Sequence, residues 1–490
     1  MQNFNESLQA KYPHLELAIL PLSQVKKGNE AFRIDSEPFK KSNLSLNSNI
    51  EYIKLSQIAT INPSKTEIQK YDENLEVTFL SMQNLGNGFI NEREKGTIKN
   101  FKSGYTYFAE NDILIAKITP CMEHGKCAIA TNLTNKIGFG STEFNVFRVK
   151  DSRFLQEFIF CYLNRENIRK IAADNMVGTS GRQRVPTAFY ENLPIPLFPK
   201  PFQLEIEKLV KQSHEALEDS KRLYKEAQEL LYKELELDFK NPLESLLKSS
   251  LQAKKANELA IINDISKKYP HLNISVRPLS KSLHKSGRLD SEYYQSKYDL
   301  MENKIKDYKG GYCKLQPSEI KDFNFTPKAQ EKYRYIELAN IGNNGNISEP
   351  LEDFGENLPT RARRKVKIND FIMSSIEGSL ASCALITPEF DNCLVSTGFY
   401  VLNSAQLNGE TLLVLFKCEF FQEYLRKFPS GTILTAISKD ELQNILIPKI
   451  NPATQEQIAL KIQKSFTLRA KSKDLLQNAK MRLENAIENG

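Results

Sequence analysis

Slid against itself by about half its length, this 490-residue chain meets a second copy of itself. KYPHLELAILPLS at 11–23 returns as KYPHLNISVRPLS at 268–280, and FRIDSEPFKK at 32–41 returns as GRLDSEYYQSK at 287–297. Arg33, Asp35, Ser36 and Glu37 are thereby matched by Arg288, Asp290, Ser291 and Glu292. Further on the likeness becomes one of pattern. FLSMQNLGNGFI at 79–90 faces YIELANIGNNGNI at 335–347, each an alternating apolar run ending in a Gly/Asn turn, which predicts a hairpin. NDILIAKI at 111–118 matches NDFIMSSI at 369–376, GKCAIA at 125–130 matches ASCALI at 381–386, and STEFNVFRV at 141–149 matches STGFYVLNS at 396–404. GTSGRQRVPTAFYENLPIPL at 178–197 faces GTILTAISKDELQNILIPKI at 431–450.

A duplication of this kind restricts the chain to a frame that is built twice. The blocks at 51–198 and 313–450 have short β-branched and aromatic runs punctuated by Gly, Asn and Pro, with helical pieces at 151–173 and 410–427, and read as mixed α/β domains. The stretches at 91–105 and 351–365 share almost nothing. Two modules with a common scaffold and divergent surfaces suit one extended ligand read at two places; duplication with no surviving functional symmetry is the alternative.

Each block is followed by a helix. After the Pro-rich stop LPIPLFPKPF at 193–202, residues 203–237 contain neither Gly nor Pro and are rich in strong helix formers. Ile206, Val210, Ser213, Leu217, Ser220, Tyr224, Ala227 and Leu231 recur at spacings of four and three, the seam of a two-helix coiled coil. After Asn451 and Pro452 the same seam returns as Ile458, Ile462 and Ser465, weakens at Arg469 and Ser472, and resumes as Leu476, Ala479, Leu483 and Ala486. Small polar residues at the middle of both seams predict close backbone approach or register selection. An ordinary helical hairpin within a globular domain remains the other reading. Residues 243–268 and 290–307 also look helical.

Several chemistries are missing. No Asn/Asp-Pro-Pro-aromatic segment or Gly-rich loop for S-adenosylmethionine is present, and Asn62-Pro63-Ser64-Lys65 does not resemble one. No GxxxxGK[ST] loop cradles a nucleotide, and Glu319 and Asp322 lack the preceding Pro-Asp of a nuclease carboxylate set. Seven scattered cysteines form no CxxC pair, which argues against zinc and against a disulfide framework. Of five histidines, His14 and His271 sit in the repeated segments, His214 falls on the long helix and is expected in solvent, and His124 and His284 remain. The internal KDEL at 439–442 is no retention signal. No apolar run approaches the roughly 20 residues of a spanning helix. The N-terminus lacks the features of a secretory signal, so a cytoplasmic location without membrane contact is expected.

Net charge is +7, a mild surplus that permits a polyanionic partner without requiring one. Arg361, Arg363, Arg364, Lys365 and Lys367 place five cations within seven residues, and Lys117, Lys126, Arg182, Gln183 and Arg184 fall in polar or Gly-rich loops of the first block. Such side chains neutralise phosphates, and Arg and Gln also pair with base edges. A solvated basic face is the alternative for the 361 cluster. Residues 51–200 carry 19 cations against 16 anions, and 311–450 carry 15 against 17, so any binding groove must be locally focused.

In this order, NDILIAKITPCMEHGKCAIA, STEFNVFRV and GTSGRQRVPTAFYENLPIPL leading to Gln203 and Ile206, then NDFIMSSI, STGFYVL and GTILTAISKDELQNILIPKI leading to Gln455, Gln457 and Ile458, the chain resembles the specificity (S) subunits of Type I restriction-modification systems. The expected fold is α+β: two similar mixed α/β target-recognition domains at 51–200 and 312–450, separated and followed by long antiparallel coiled-coil helices at 201–250 and 451–490, with an internal pseudo-two-fold repeat. Repeated segments at 1–50 and 251–311 precede each domain; they are extra to the family pattern. The resemblance implies that each domain reads half of a split, asymmetric site on double-stranded DNA, with the helices as a ruler. A helix of thirty-five residues would span about 52 Å, more than one turn of B-DNA at about 34 Å. It also implies a chain without catalysis or cofactor of its own: methylation (M) subunits bring S-adenosylmethionine, and restriction (R) subunits bring nuclease, ATP and Mg. Expected DNA contacts are Lys117, Thr119, His124, Lys126, Arg182, Gln183 and Arg184 in the first domain, and Arg361, Arg363, Arg364, Lys365, Ser374 and Ser375 in the second. A helical adaptor that never touches DNA and an unrecognised stand-alone nuclease are the rival readings.

Overall fold

The structure, a computed structural model, describes residues 46–179, 181–246, 288–431 and 435–489, with scattered positions before 46. The repeated KYPHL segment at 268–280, most of the first-copy segment at 32–41 and the expected helix beyond residue 246 lie outside the described residues. The chain forms two compact units, Met1–Glu218 with Arg469–Gly490, and Asp219–Leu468. The division therefore runs through both long helices, and each unit takes part of each.

In the first unit the strands are β1 (Tyr52–Lys54), β2 (Ala59–Ile61), β3 (Glu76–Leu80), β4 (Glu94–Thr97), β5 (Thr106–Ala109), β6 (Ile113–Ala116), β7 (Cys127–Ile129), β8 (Ile137–Gly140), β9 (Phe144–Val149) and β10 (Pro194–Pro196). They make two four-stranded sheets, ordered β2-β9-β6-β7 and β4-β3-β8-β5, and a β1-β10 pair. In the second unit the strands are β11 (Tyr312–Cys313), β12 (Ile320–Lys321), β13 (Lys332–Ile336), β14 (Leu351–Phe354), β15 (Ala362–Lys365), β16 (Phe371–Ser374), β17 (Cys383–Leu385), β18 (Leu394–Ser396), β19 (Phe399–Leu402) and β20 (Ile447–Pro448). Their orders are β12-β19-β16-β17, β14-β13-β18-β15 and β11-β20, the same frame position by position. Even the parallel pairs, β3 with β8 and β13 with β18, correspond. The mixed α/β expectation thus holds in both halves.

The residues shared between the halves are those the frame requires. Asn111 and Asn369 both adopt left-handed backbone (φ 72° and 67°), which Asn tolerates better than most residues. The next residues, Asp112 and Asp370, are buried and accept the backbone N–H of Ala109 (2.7 Å) and Lys367 (3.0 Å). Each carboxylate is also paired, Asp112 with Arg148 and Asp370 with Lys321. Gln203 and Gln455 act alike at the starts of the long helices. Gln203 accepts from Leu155 N and donates to the carbonyls of Arg153 and Phe198. Gln455 accepts from Asn408 N and donates to Gln406 and Ile450. Each amide sews a sheet domain to the first turn of its helix. In the second unit, Arg288 of the repeated Arg-x-Asp-Ser-Glu segment grips Asp290 (2.7 Å) and donates to the Phe428 carbonyl (3.0 Å).

The long helices span Lys200–Glu234 and Pro452–Asn489. Pro201 and Pro452 fall in first turns, where a missing N–H costs nothing, and Asn451 accepts from Ala453 N. Every seam residue from Ile206 to Leu231 is buried, as are Ile458, Ile462, Ser465, Ser472, Leu476, Ala479 and Leu483. Within the first unit the helix segments run antiparallel, Glu205 meeting Arg482 and Ser213 meeting Ser472. Within the second, Ser220 meets Ser465 and Glu226 meets Lys461.

Three expectations are corrected. The helical pieces at 151–173 and 410–427 are each two short helices, Gln156–Leu163 and Glu166–Asp174, then Gly409–Lys417 and Glu419–Leu425. The apolar alternation after 79 and 335 gives strands β3 and β13, whose hairpin partners are β4 and β14, while Leu85–Ile90 and Ile341–Ile347 close only isolated bridges. His214 is half-buried: its Nε2 lies 3.0 Å from the Gly88 carbonyl and its ring sits edge-on to Phe160.

Candidate nucleic-acid interface

The seven first-domain candidates lie on two chain segments that the backbone ties to each other and to a third. The segment 117–126 leaves β6, the segment 177–185 returns from the Glu166–Asp174 helix, and 141–143 joins β8 to β9. Lys117 donates its N–H to the Glu143 carbonyl, and its own carbonyl accepts Val185 N, both at 2.9 Å. Thr119 N donates to the Gln183 carbonyl (3.0 Å), and Arg184 bridges to both Ile118 and Val177.

On this frame the side chains differ in freedom. Arg184 is committed: its Nε and Nη2 reach both carboxylate oxygens of Glu143, at 2.7–3.1 Å, and its Nη1 donates to the Arg182 carbonyl. These bonds hold the Glu143 carboxyl below its ordinary range and push the Arg184 pKa up. Arg184 is thus the strut of the loop, and Arg182, two residues before it, is exposed. The Thr119 hydroxyl donates to Glu123 (2.7 Å), and Lys126 Nζ is tied to the Met82 carbonyl (2.8 Å). His124 is exposed, with its backbone N–H given to Pro120. Gly125, at φ 72°, lets the loop pass over the helix below; a Cβ there would lie 3.2 Å from the Arg169 guanidinium.

The second unit repeats the frame with other side chains. Ser375 N donates to the Gly398 carbonyl, Ile437 N donates to the Ser375 carbonyl, and Glu377 N donates to Thr435. Ala436 bridges to Ile376 and Ser430, as Arg184 bridges to Ile118 and Val177. Lys117 therefore corresponds to Ser375, Glu143 to Gly398, and Arg184 to Ala436. The ion-pair strut is gone, and the Thr435 hydroxyl instead donates to the Glu377 carboxylate. Glu143, Glu377 and Thr435 were not among the sequence candidates. The signal was present at one of them, since Ser-Thr is kept at 141–142 and 396–397 while the next residue changes from Glu to Gly.

Ser374 is not on the surface: it is fully buried, its hydroxyl shared with Ser379 (2.8 Å) and accepting the Ile376 N–H. Ser375 is half-buried and donates to the Gly398 carbonyl. Three of the five cations, Arg363, Arg364 and Lys365, fall on β15, whose register shifts between Ala362 and Arg364, and their side chains do not form one patch. Arg361 is exposed and lies 3.3 Å from Glu337, and Arg363 donates to the Thr360 carbonyl. Lys365 sits over the Phe325 ring, and Lys367 reaches Asn392. Arg364 is turned the other way. Its guanidinium packs 5.6 Å from the Tyr400 ring, with Nε and Nη1 buried and without hydrogen-bond partners, and burial pulls its pKa down. The backbone joins this strand to the rest of the site, because Thr397 N, beside Gly398, donates to the Arg361 carbonyl. No cluster of potential metal ligands occurs among the described residues. Nor is any helix among them long and apolar enough to cross a membrane.

Comparison with known proteins finds relatives of part of this chain. Residues 47–227 match the family model described as Type I restriction modification DNA specificity domain. Over 187 residues, 37% of this chain, it is 35% identical to the Type I restriction enzyme EcoEI specificity subunit of Escherichia coli. It is 39% identical over 151 residues, 30% of this chain, to the EcoAI specificity subunit of the same organism. The matched stretches span 30% and 25% of those relatives' lengths. Solved structures aligned along the chain include the HsdS subunit from Thermoanaerobacter tengcongensis, at 16% identity and a TM-score of 0.30. That alignment covers 90% of this chain and 97% of that one. The S subunit from M. genitalium aligns at 14% identity and a TM-score of 0.40, covering 90% of this chain and 96% of that one. Residues 47–227, a stretch that contains the Lys117 to Arg184 loops, are thus similar to the Type I restriction modification DNA specificity domain.

Proposed function

We propose that the whole chain is the DNA-recognition subunit of a Type I restriction-modification complex, each unit reading one half of a bipartite, asymmetric site. The observation that carries this reading is the doubled frame. Two sets of loops with the same backbone hydrogen bonds present Lys117, Arg184 and Glu143 in one copy and Ser375, Ala436 and Gly398 in the other. A common scaffold with exchanged side chains suits two different half-sites. Exposed or half-buried Lys117, Thr119, His124, Lys126, Arg182 and Gln183 form the first contact set, with Arg184 as its support. Arg361, Arg363, Lys365 and Ser375 form the second, with Arg364 and Ser374 beneath it.

In this reading the chain itself neither methylates nor cuts. Methylation subunits supply S-adenosylmethionine, restriction subunits supply ATP- and Mg-dependent cleavage, the complex works in the cytoplasm, and the long helices set the gap between half-sites. Selection of duplexes from a randomised library by the full chain tests it. A consensus of two separated halves is expected, and exchange of residues 51–198 for those of a divergent relative should change one half alone. A consensus indifferent to that exchange, or cutting of duplex DNA by the purified chain with magnesium, would overturn it.

A further inference from the structure

Phe323 is 81% exposed, far more than any other described aromatic side chain, since the next, Tyr312, is 44% exposed. Covering a phenylalanine ring is favourable by about 2 kcal/mol relative to leaving it in water, so a ring this bare is available to a ligand. Its place in the chain says which. Asp322, immediately before it, holds Lys439 Nζ at 2.7 Å, two residues beyond the Ile437 N–H that caps the Ser375 carbonyl. Phe325, two residues after it, donates its N–H to the Arg363 carbonyl at 2.6 Å and carries Lys365 over its ring. Phe323 is therefore held between the 435–439 loop and the basic strand β15, at the candidate interface.

The other copy lacks this feature. Ile113 and Phe371 occupy equivalent positions opposite Phe147 and Leu402, which pair in turn with Ile61 and Ile320. Three residues further, Phe323 corresponds to Ser64, whose hydroxyl is spent on Thr66 N. The frame does not need an aromatic there.

We propose that Phe323 is a base-contacting, specificity-determining residue of the second unit, packing its ring on the apolar surface of bases while Arg361, Arg363 and Lys365 meet phosphates. This rests on the DNA-recognition reading above. The surrounding cations favour a polyanion over a protein partner as the occupant. Aromatic rings contribute through contact with thymine methyl groups or by wedging against a base step, and both modes read sequence without a hydrogen bond.

The test compares the full chain with Phe323→Ala and Phe323→Tyr, each challenged with a randomised duplex library and then with its own selected consensus over a range of salt. Phe323→Ala should relax preference at one or two positions of a single half-site and weaken binding about tenfold. The slope of log affinity against log salt should stay unchanged, because no phosphate contact is lost. Phe323→Tyr should restore the preference. An unchanged consensus and affinity in Phe323→Ala, with the wild-type chain selective, would overturn this inference while leaving the broader reading intact. So would a loss confined to protein co-assembly. No sequence-selective binding by the wild-type chain would sink both.

Discussion

The Arg184–Glu143 pair shows how one side chain can look like a ligand contact and be a strut. A guanidinium with both fork arms on a carboxylate has little left to offer a base, yet it fixes the loop from which Arg182 emerges. Since Arg184 is about 43% exposed, solvent screens the pair and its contribution to the stability of the fold is small. The Glu143 pKa lies below the ordinary 4.5 in the folded state, so this contribution is present above that value and lost as pH falls through the folded pKa. Glu143→Gln should therefore lower the urea midpoint at neutral pH, and the variant and wild-type curves should converge under acid conditions. A difference that persists undiminished at low pH would assign the effect to shape instead of charge. The sequence displayed the cations of this site but not their commitments. Whether Arg184 or Arg182 is engaged depends on Glu143, 41 residues away along the chain, which no local pattern reports.

The seam of the long helices holds two buried serine pairs. Ser213 bonds to the Ser472 hydroxyl and carbonyl in the first unit, and Ser220 and Ser465 share hydroxyls at 2.9 Å in the second. All four side chains are nearly or fully inaccessible, so a hydroxyl that loses its partner keeps its desolvation cost. Ser465→Ala alone should cost about 1 kcal/mol, whereas Ser220→Ala with Ser465→Ala should cost much less than the sum of the single changes. A double-mutant cycle by urea denaturation measures this, and strict additivity would show that the hydroxyls act independently. Here the sequence spoke clearly, because period and small polar residues both survive in one dimension. The breaks at 164–165 and at 418 were less visible. Continuous apolar patterning hides a change of helix direction, and what decides it is the packing of each piece on its sheet.

The first unit is assembled from the two ends of the chain. Leu476, Ala479 and Leu483 lie in the same core as Ile206, Val210 and Phe158, and Arg165 is paired with Glu484. Deleting residues 469–490 removes two buried leucines worth about 3–6 kcal/mol, a large part of the 5–15 kcal/mol that holds a typical domain together. Hydrogen exchange on the truncated chain should show lost protection in β6 and β9 with β16 and β19 retained; equal protection in both would contradict the division into units. The repeat, the α+β class and the heptad seams were written in order along the chain, since they follow from which residues are apolar and how often. That the C-terminal helix completes the core of the first unit, that the cations of β15 do not form one patch, and that Ser374 is buried beneath its loop were decided by tertiary structure. Each depends on which surface a residue meets across hundreds of positions, and a linear pattern carries the period of an element but not the identity of its neighbour.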